Sequence, residues 1–137
     1  MKLLMVFANK ISFTPKVKNL ESAQTLEQQT QTFENILVAC IQLEEKDVQN
    51  PKETETKLVK NVKWAARKNN TKKILLHSFA HLSESKAPAD FTKQILDKAQ
   101  QRLNNSQYQT FQSPFGYFLD ISIDCPGYSQ ARIFKSL

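Results

Sequence analysis

The sequence predicts a mixed α/β domain, a mostly antiparallel sheet with two main helices packed on it. Apolar runs of strand length recur at residues 2–8, 35–44, 73–79 and 117–125. Two intervening segments carry apolar residues at helical spacing instead, and the two kinds alternate along the chain. With 137 residues the chain is long enough for one hydrophobic core, and it reads as a single domain over 1–137.

The first two runs, 2–8 and 11–16, read as a hairpin turning at Asn9 and Lys10. Residues 18–33, with "QTLEQQTQT" at their centre, are polar and fit either a weakly amphipathic helix or a long loop. "NILVACIQLE" at 35–44 is apolar enough for a strand buried on both faces. The first helix has clear start signals. Asn50 suits the N-cap, Pro51 the first helical position, and Glu53 falls three residues after the cap. Leu58, Val62 and Ala65 or Ala66 then recur on one face, and "KNNTKK" ends the helix before a strand at 73–79. The second helix starts near Pro88 to Asp90. Phe91, Ile95, Ala99 and Leu103 form its stripe, and "NNS" stops it. Strands follow at 107–112 and 117–125. In the latter, Tyr117, Leu119, Ile121, Ile123 and Cys125 alternate with Phe118, Asp120, Ser122 and Asp124, as a half-buried strand requires. The tail "SQARIFKSL" reads as a short helix.

The hydrophobic fraction of 40% and charged fraction of 23% are those of an ordinary globular protein. No apolar run reaches the roughly 18 residues that span a bilayer. "MKLLMVFANK" lacks a small-residue cleavage site and reads as a buried first strand, so the expected compartment is the cytoplasm, with no membrane partner. Cys40 and Cys125 lie in apolar strand contexts and read as reduced core thiols, although sequence alone leaves a disulfide open. The net charge of +6 is compatible with a polyanionic partner such as RNA.

Conventional catalytic patterns are sparse. His77 and His81 are four apart, but strand geometry after "KILL" would not hold them together, and no third metal ligand is near. No metal or other cofactor is expected. Ser83, Ser85 and Ser113 lack a nucleophile elbow and read as cap or loop residues. Asp120 and Asp124 read as a solvated strand face. Gly116 and Gly127, the two glycines of the chain, bracket the last strand. Either they only turn the chain, or they let its backbone approach a ligand.

"SFAHLSES" at 78–85 and "SPFGYFLDISIDCPGY" at 113–128 resemble the two signature stretches of the archaeal-type editing domain of threonyl-tRNA synthetase. "MKLLMVFANKISF" and "ENILVACIQLEEKDVQNP" resemble its opening strand and its central strand. The resemblance implies a D-aminoacyl-tRNA deacylase-like fold, usually a homodimer. It implies metal-free hydrolysis of serine mischarged on threonine tRNA, with the tRNA's terminal 2′-hydroxyl assisting the attacking water. The partners implied are the charged 3′ end of tRNA and a synthetase body, fused or separate. His81 and Tyr117 take the catalytic positions. Leu43, Phe79, Ala80, Phe115, Gly116, Leu119 and Arg132 take the substrate-binding ones. Leu119 stands where the family has a lysine, and Arg132 where it has a glutamate, so weakened or altered activity is expected. A different class of function, a non-catalytic tRNA-binding or dimerisation module, fits the same residues. A deacylase of other specificity that uses Asp120 is a third reading.

Overall fold

The computed structural model describes residues 1–137. The strands are β1 (Lys2–Lys18), β2 (Gln31–Gln42), β3 (Lys73–Ser78), β4 (Gln109–Gln112), β5 (Tyr117–Asp124) and β6 (Arg132–Ser136). The helices are α1 (Pro51–Lys68), between β2 and β3, and α2 (Ala89–Asn105), between β3 and β4. The sheet order is β4-β3-β2-β1-β5, with β6 also beside β1. The pairs β1/β2, β1/β5 and β1/β6 are antiparallel, whereas β2/β3 and β3/β4 are parallel. This is the expected mixed sheet, in the D-aminoacyl-tRNA deacylase-like arrangement.

Both helices cover one face. Leu58, Val59, Val62, Ala65 and Ala66 of α1 and Ile95, Leu96, Ala99 and Leu103 of α2 meet Leu3, Met5, Leu37, Ala39, Ile41, Ile74 and Leu76 of the sheet. Phe91, the first residue of the expected α2 stripe, is only partly buried at the margin of this core. The α1 start is built as its sequence indicates, with the Glu53 N–H donating to Asn50 Oδ1 at 3.2 Å. Arg102 of α2 reaches buried Glu55 of α1 at 2.8 Å and ties the helices together.

The expected hairpin at Asn9 and Lys10 does not form. β1 continues through these residues and pairs with β2 from Lys2–Gln42 to Phe13–Gln31 in one register. β2 pairs with Ala8 and Lys10 on either side of Asn9, and β5 takes up the other edge of β1 from Lys10 onward, so the ladder holds the chain extended through the expected turn. The polar pair marks a change of face instead. Leu3 and Met5 belong to the helix-side core, whereas Ile11 and Phe13, of the same parity, belong to a second core. The irregularity is shared with β2, where Asn35 adopts φ 51°, a conformation asparagine tolerates better than most residues. The second core joins Ala8, Ile11, Phe13, Ile36, Val38 and Leu75 on the face away from the helices. Phe33 links it across the curled sheet, its ring 5.9 Å from Phe13 and 4.7 Å from Phe111.

Residues 19–30 are loop, which settles the alternative left open by their composition. The tail also departs from expectation. Only a single tight turn, Ser129–Ala131, precedes β6, which lies along the first half of β1 from Arg132–Val6 to Ser136–Lys2. "RIFKS" alternates in burial, and the open edge of β1 offers ladder partners that a lone helical turn would lack. β5 lies where expected, but its apolar alternates are not buried. Ile121 and Ile123 remain 45% exposed because no element covers that end of the sheet.

Candidate functional site

β2, β3 and β4 run parallel and end at Gln42, Ser78 and Gln112, so the loops that follow them gather at one end of the sheet. Carboxyl ends of parallel strands are where open α/β sheets form ligand crevices, because the loops there diverge around the strand termini. Here the curl of the sheet brings the start of β5 over the same place. The result is a cavity of about 520 Å³, within the range of small-molecule sites.

The two stretches singled out in the sequence meet in this cavity. Leu43, Phe79, Ala80, His81, Phe115, Gly116, Tyr117 and Leu119 all line it. Arg132 does not. The β6 register sets it opposite Val6 of β1, whereas Gln42, at the cavity, lies opposite Lys2. That is four residues, or roughly 13 Å, along the strand. The expected binding role of Arg132 therefore has no support within this chain's cavity, and the reason is that the tail is a strand in this register and not a helix. Neither Lys135 nor Arg132 lines the cavity beside Leu119. Lys135 stacks over Trp64 at 5.1 Å, and Lys93 binds Asp97 at 2.9 Å.

Tyr117 lines the cavity, but its hydroxyl is engaged elsewhere. It donates to Gln24 O at 2.6 Å and accepts from Leu26 N at 3.1 Å. This holds the 19–30 loop against β5 and leaves the hydroxyl no proton to give a substrate in this arrangement. Gly116 makes the same contact closer. Its carbonyl accepts from Asn19 N at 2.7 Å and Leu20 N at 3.2 Å. It adopts φ +81°, and a Cβ there would lie 2.8 Å from Ala23 Cβ. The close approach that needs glycine is thus to this chain's own loop. A methyl group on Gly127 would meet nothing within 4 Å, so that glycine is a turn residue only.

His81 is exposed at the cavity, and Phe79 packs edge-on against it with ring centroids 4.8 Å apart. The other neighbour of the Phe79 ring is His77, at 5.6 Å. His77 Nδ1 shares a hydrogen bond of 2.8 Å with Ser113 Oγ, while its buried Nε2 has no partner. Burial, with the charge of His81 adding to it, pushes the His77 imidazole down to about 4, so it is neutral at pH 7. The two histidines flank a phenyl ring, and no three side chains of His, Cys, Asp or Glu cluster as metal ligands anywhere in the chain. Asp120 is exposed, 3.5 Å from Lys16, and does not line the cavity, although its chain neighbours Leu119 and Ile121 do. Cys40 and Cys125 are both free, and burial raises the Cys40 thiol to about 11.

Gln42 was not singled out by sequence reasoning, yet it shapes the site. Its carboxamide accepts from Leu82 N (2.6 Å) and Ser83 N (2.8 Å) and donates to Ser83 O (2.8 Å) and Ser85 O (3.0 Å). One side chain thereby folds the loop after His81 into a fixed shape. Beside it, Ser83 Oγ donates to Glu44 at 2.7 Å, and the Met1 amine meets the same carboxylate at 2.6 Å. Burial alone would raise the Glu44 carboxyl. The hydrogen bonds from the Met1 amine, Ser83 and Lys2 outweigh it and hold the group at about 2. A polar residue closing the apolar run "VACIQLE" was the one available signal for Gln42.

Comparison with known proteins points the same way. A family model described as the archaea-specific editing domain of threonyl-tRNA synthetase matches residues 1–137. The threonine–tRNA ligases of Thermococcus kodakarensis and Methanosarcina mazei are each 27% identical over 139 residues, covering 100% of this chain and 22% of the ligase. That of Hyperthermus butylicus is 26% identical over 141 residues, covering 99% of this chain and 23% of the ligase. The chain thus spans less than a quarter of these relatives. Among solved structures, the c-Myc DNA Unwinding Element Binding Protein superposes with a TM-score of 0.73 at 12% identity, covering 100% of this chain and 99% of that one, a likeness of fold alone. The match over every residue, together with the meeting of both signature stretches in one cavity, places the chain in the family of archaea-specific editing domains of threonyl-tRNA synthetase.

Proposed function

We propose that this chain binds the charged 3′ end of tRNA and hydrolyses serine mischarged on threonine tRNA, at a rate lowered or with a specificity altered by Leu119. The observation that carries this reading is the convergence of 79–81 and 114–117 on one half-apolar cavity at the strand ends. In the reaction, water oxygen adds to the ester carbonyl carbon, the bond to the tRNA 3′ oxygen breaks, and that oxygen takes up a proton. His81, the exposed imidazole of the cavity, is placed to contact the ester or the water. Tyr117 and Gly116 act by holding the 19–30 loop as one wall. A lysine at position 119 would add a positive charge near the developing oxyanion, and leucine cannot. The tRNA is the proposed partner, a synthetase body is the proposed second domain, and the proposed setting is the cytoplasm. No helix is long and apolar enough to cross a membrane.

A homodimer belongs to the same reading. β5 pairs on one side only, with β1, and Phe118, Ile121 and Ile123 stand about half exposed there. A second copy is the proposed cover, and Ile123→Lys should shift a dimer to monomer in light scattering. Deacylation of seryl- and threonyl-tRNA tests the activity. Faster loss of the serine ester is expected, with a further rise for Leu119→Lys. The second reading, a non-catalytic tRNA-binding module, is favoured by Leu119 itself. It requires binding with no turnover in either the native protein or Leu119→Lys. Failure to bind tRNA at low salt would sink both readings.

A further inference from the structure

We propose that Lys86 is the phosphate contact of this cavity, holding the backbone of the terminal nucleotides of an RNA 3′ end while the esterified residue enters. The proposal rests on the tRNA reading above and adds the group that would recognise the polyanion.

Lys86 is the one lysine or arginine among the cavity-lining residues, and no aspartate or glutamate lines it. The cavity therefore presents one cation, two imidazoles and no opposing charge. The Lys86 amine is exposed and makes no hydrogen bond or ion pair within the chain, unlike Lys93 nearby, which is held by Asp97. Glu44, the carboxylate in the adjoining network, is already engaged by the Met1 amine, Lys2 and Ser83.

The backbone on both sides of Lys86 is fixed. Before it, Ser85 O accepts from Gln42 at 3.0 Å and Ser85 Oγ accepts from Glu45 N at 2.9 Å. After it, Ala87 N donates to Leu43 O at 2.9 Å. A free ammonium on a pinned backbone loses little entropy on meeting an anion beyond that of its own side chain. Its exposure suits a phosphate at the mouth of the cavity more than a reacting atom in its depth, because phosphates stay partly hydrated when bound. Lysine serves phosphate as a point charge, without the directional demands of a bidentate site.

The test uses an RNA minihelix ending in CCA that carries serine through a 3′-amide, which cannot be hydrolysed. Its affinity is measured against potassium chloride concentration for the native protein, Lys86→Gln, Lys86→Arg and Lys98→Gln. Lys98 is an exposed lysine of α2 that does not line the cavity. Lys86→Gln should weaken binding by about 3- to 10-fold at low salt and reduce the slope of log affinity against log salt by about 0.7, the single-strand value for one phosphate contact. Lys86→Arg should restore both, and Lys98→Gln should change neither. The phosphate-free nucleoside, 3′-serylamino-adenosine, should bind the native protein and Lys86→Gln alike. Equal slopes for the native protein and Lys86→Gln would overturn the proposal, as would an equal loss with the phosphate-free nucleoside. No binding of the minihelix by the native protein would instead overturn the tRNA reading beneath it.

Discussion

Replacing Gln42 by leucine isolates what one buried carboxamide does for the site. Leucine is close in size, so the change removes hydrogen bonds and little packing. Two backbone N–H groups and two carbonyls of residues 82–85 lose their partner. A typical hydrogen bond contributes about 0.5–1.5 kcal/mol net, and groups left unpaired cost more when water cannot reach them. Ser83 and Ser85 are only half-buried, so water replaces part of the loss, and the expected destabilisation is about 2–3 kcal/mol. For a chain of this size each kcal/mol lowers Tm by about 3 °C, which gives a fall of about 6–9 °C. Thermal unfolding measures the total, and amide exchange at Leu82 and Ser83 localises it. Gln42→Glu adds a control with a sign. One carboxylate oxygen can still accept from the two amides, but the other faces two carbonyls. The folded protein then favours the protonated acid, so the variant should gain stability as pH falls towards 4 and lose it as pH rises to 7. If Gln42→Leu left Tm within about 1 °C and exchange at Leu82 and Ser83 unchanged, the carboxamide would not be what holds the loop.

Three further outcomes follow from the same geometry. Gly116→Ala must place a Cβ 2.8 Å from Ala23 at φ +81°, and should cost about 2–4 kcal/mol in denaturant unfolding, whereas Gly127→Ala, with open space around it, should stay within about 0.5 kcal/mol. The Glu44 carboxyl is held at about 2, against an ordinary value of 4.5, so the stability it contributes is complete above pH 4.5 and is lost as pH falls towards 2. Glu44→Gln should flatten that part of the acid-unfolding profile, and an unchanged profile would show that the pairing is weak. His77, lowered to about 4 from 6.5, favours the folded state fully above pH 6.5 and progressively less towards pH 4, and its imidazole resonances in NMR should show no titration between pH 8 and 6.

The helices, most of the strands and the family are legible in the order of residues alone. Apolar spacing in α1 and α2 and the Asn50–Pro51–Glu53 start are local signals, and they survive because burial of those faces agrees with local preference. The stretches at 79–83 and 114–117 are likewise contiguous in sequence, so their chemistry could be read before their meeting place was known. Matters of partnership become visible only in the folded chain. Asn9 and Lys10 look like a turn until β1 is seen to have neighbours along its length. "RIFKS" looks like a helix end until the free edge of β1 is there to pair with it, and that pairing is what carries Arg132 away from the cavity. Gly116 looks like an opening for a ligand until Leu20 and Ala23 are found against it. Gln42, Glu44 and Lys86 act through residues some 40 positions away or through the charge of a cavity that only folding assembles. Hydrogen-bond partners and electrostatic surroundings of this kind have no local spacing to betray them, because strand pairing and loop closure set them across the whole chain.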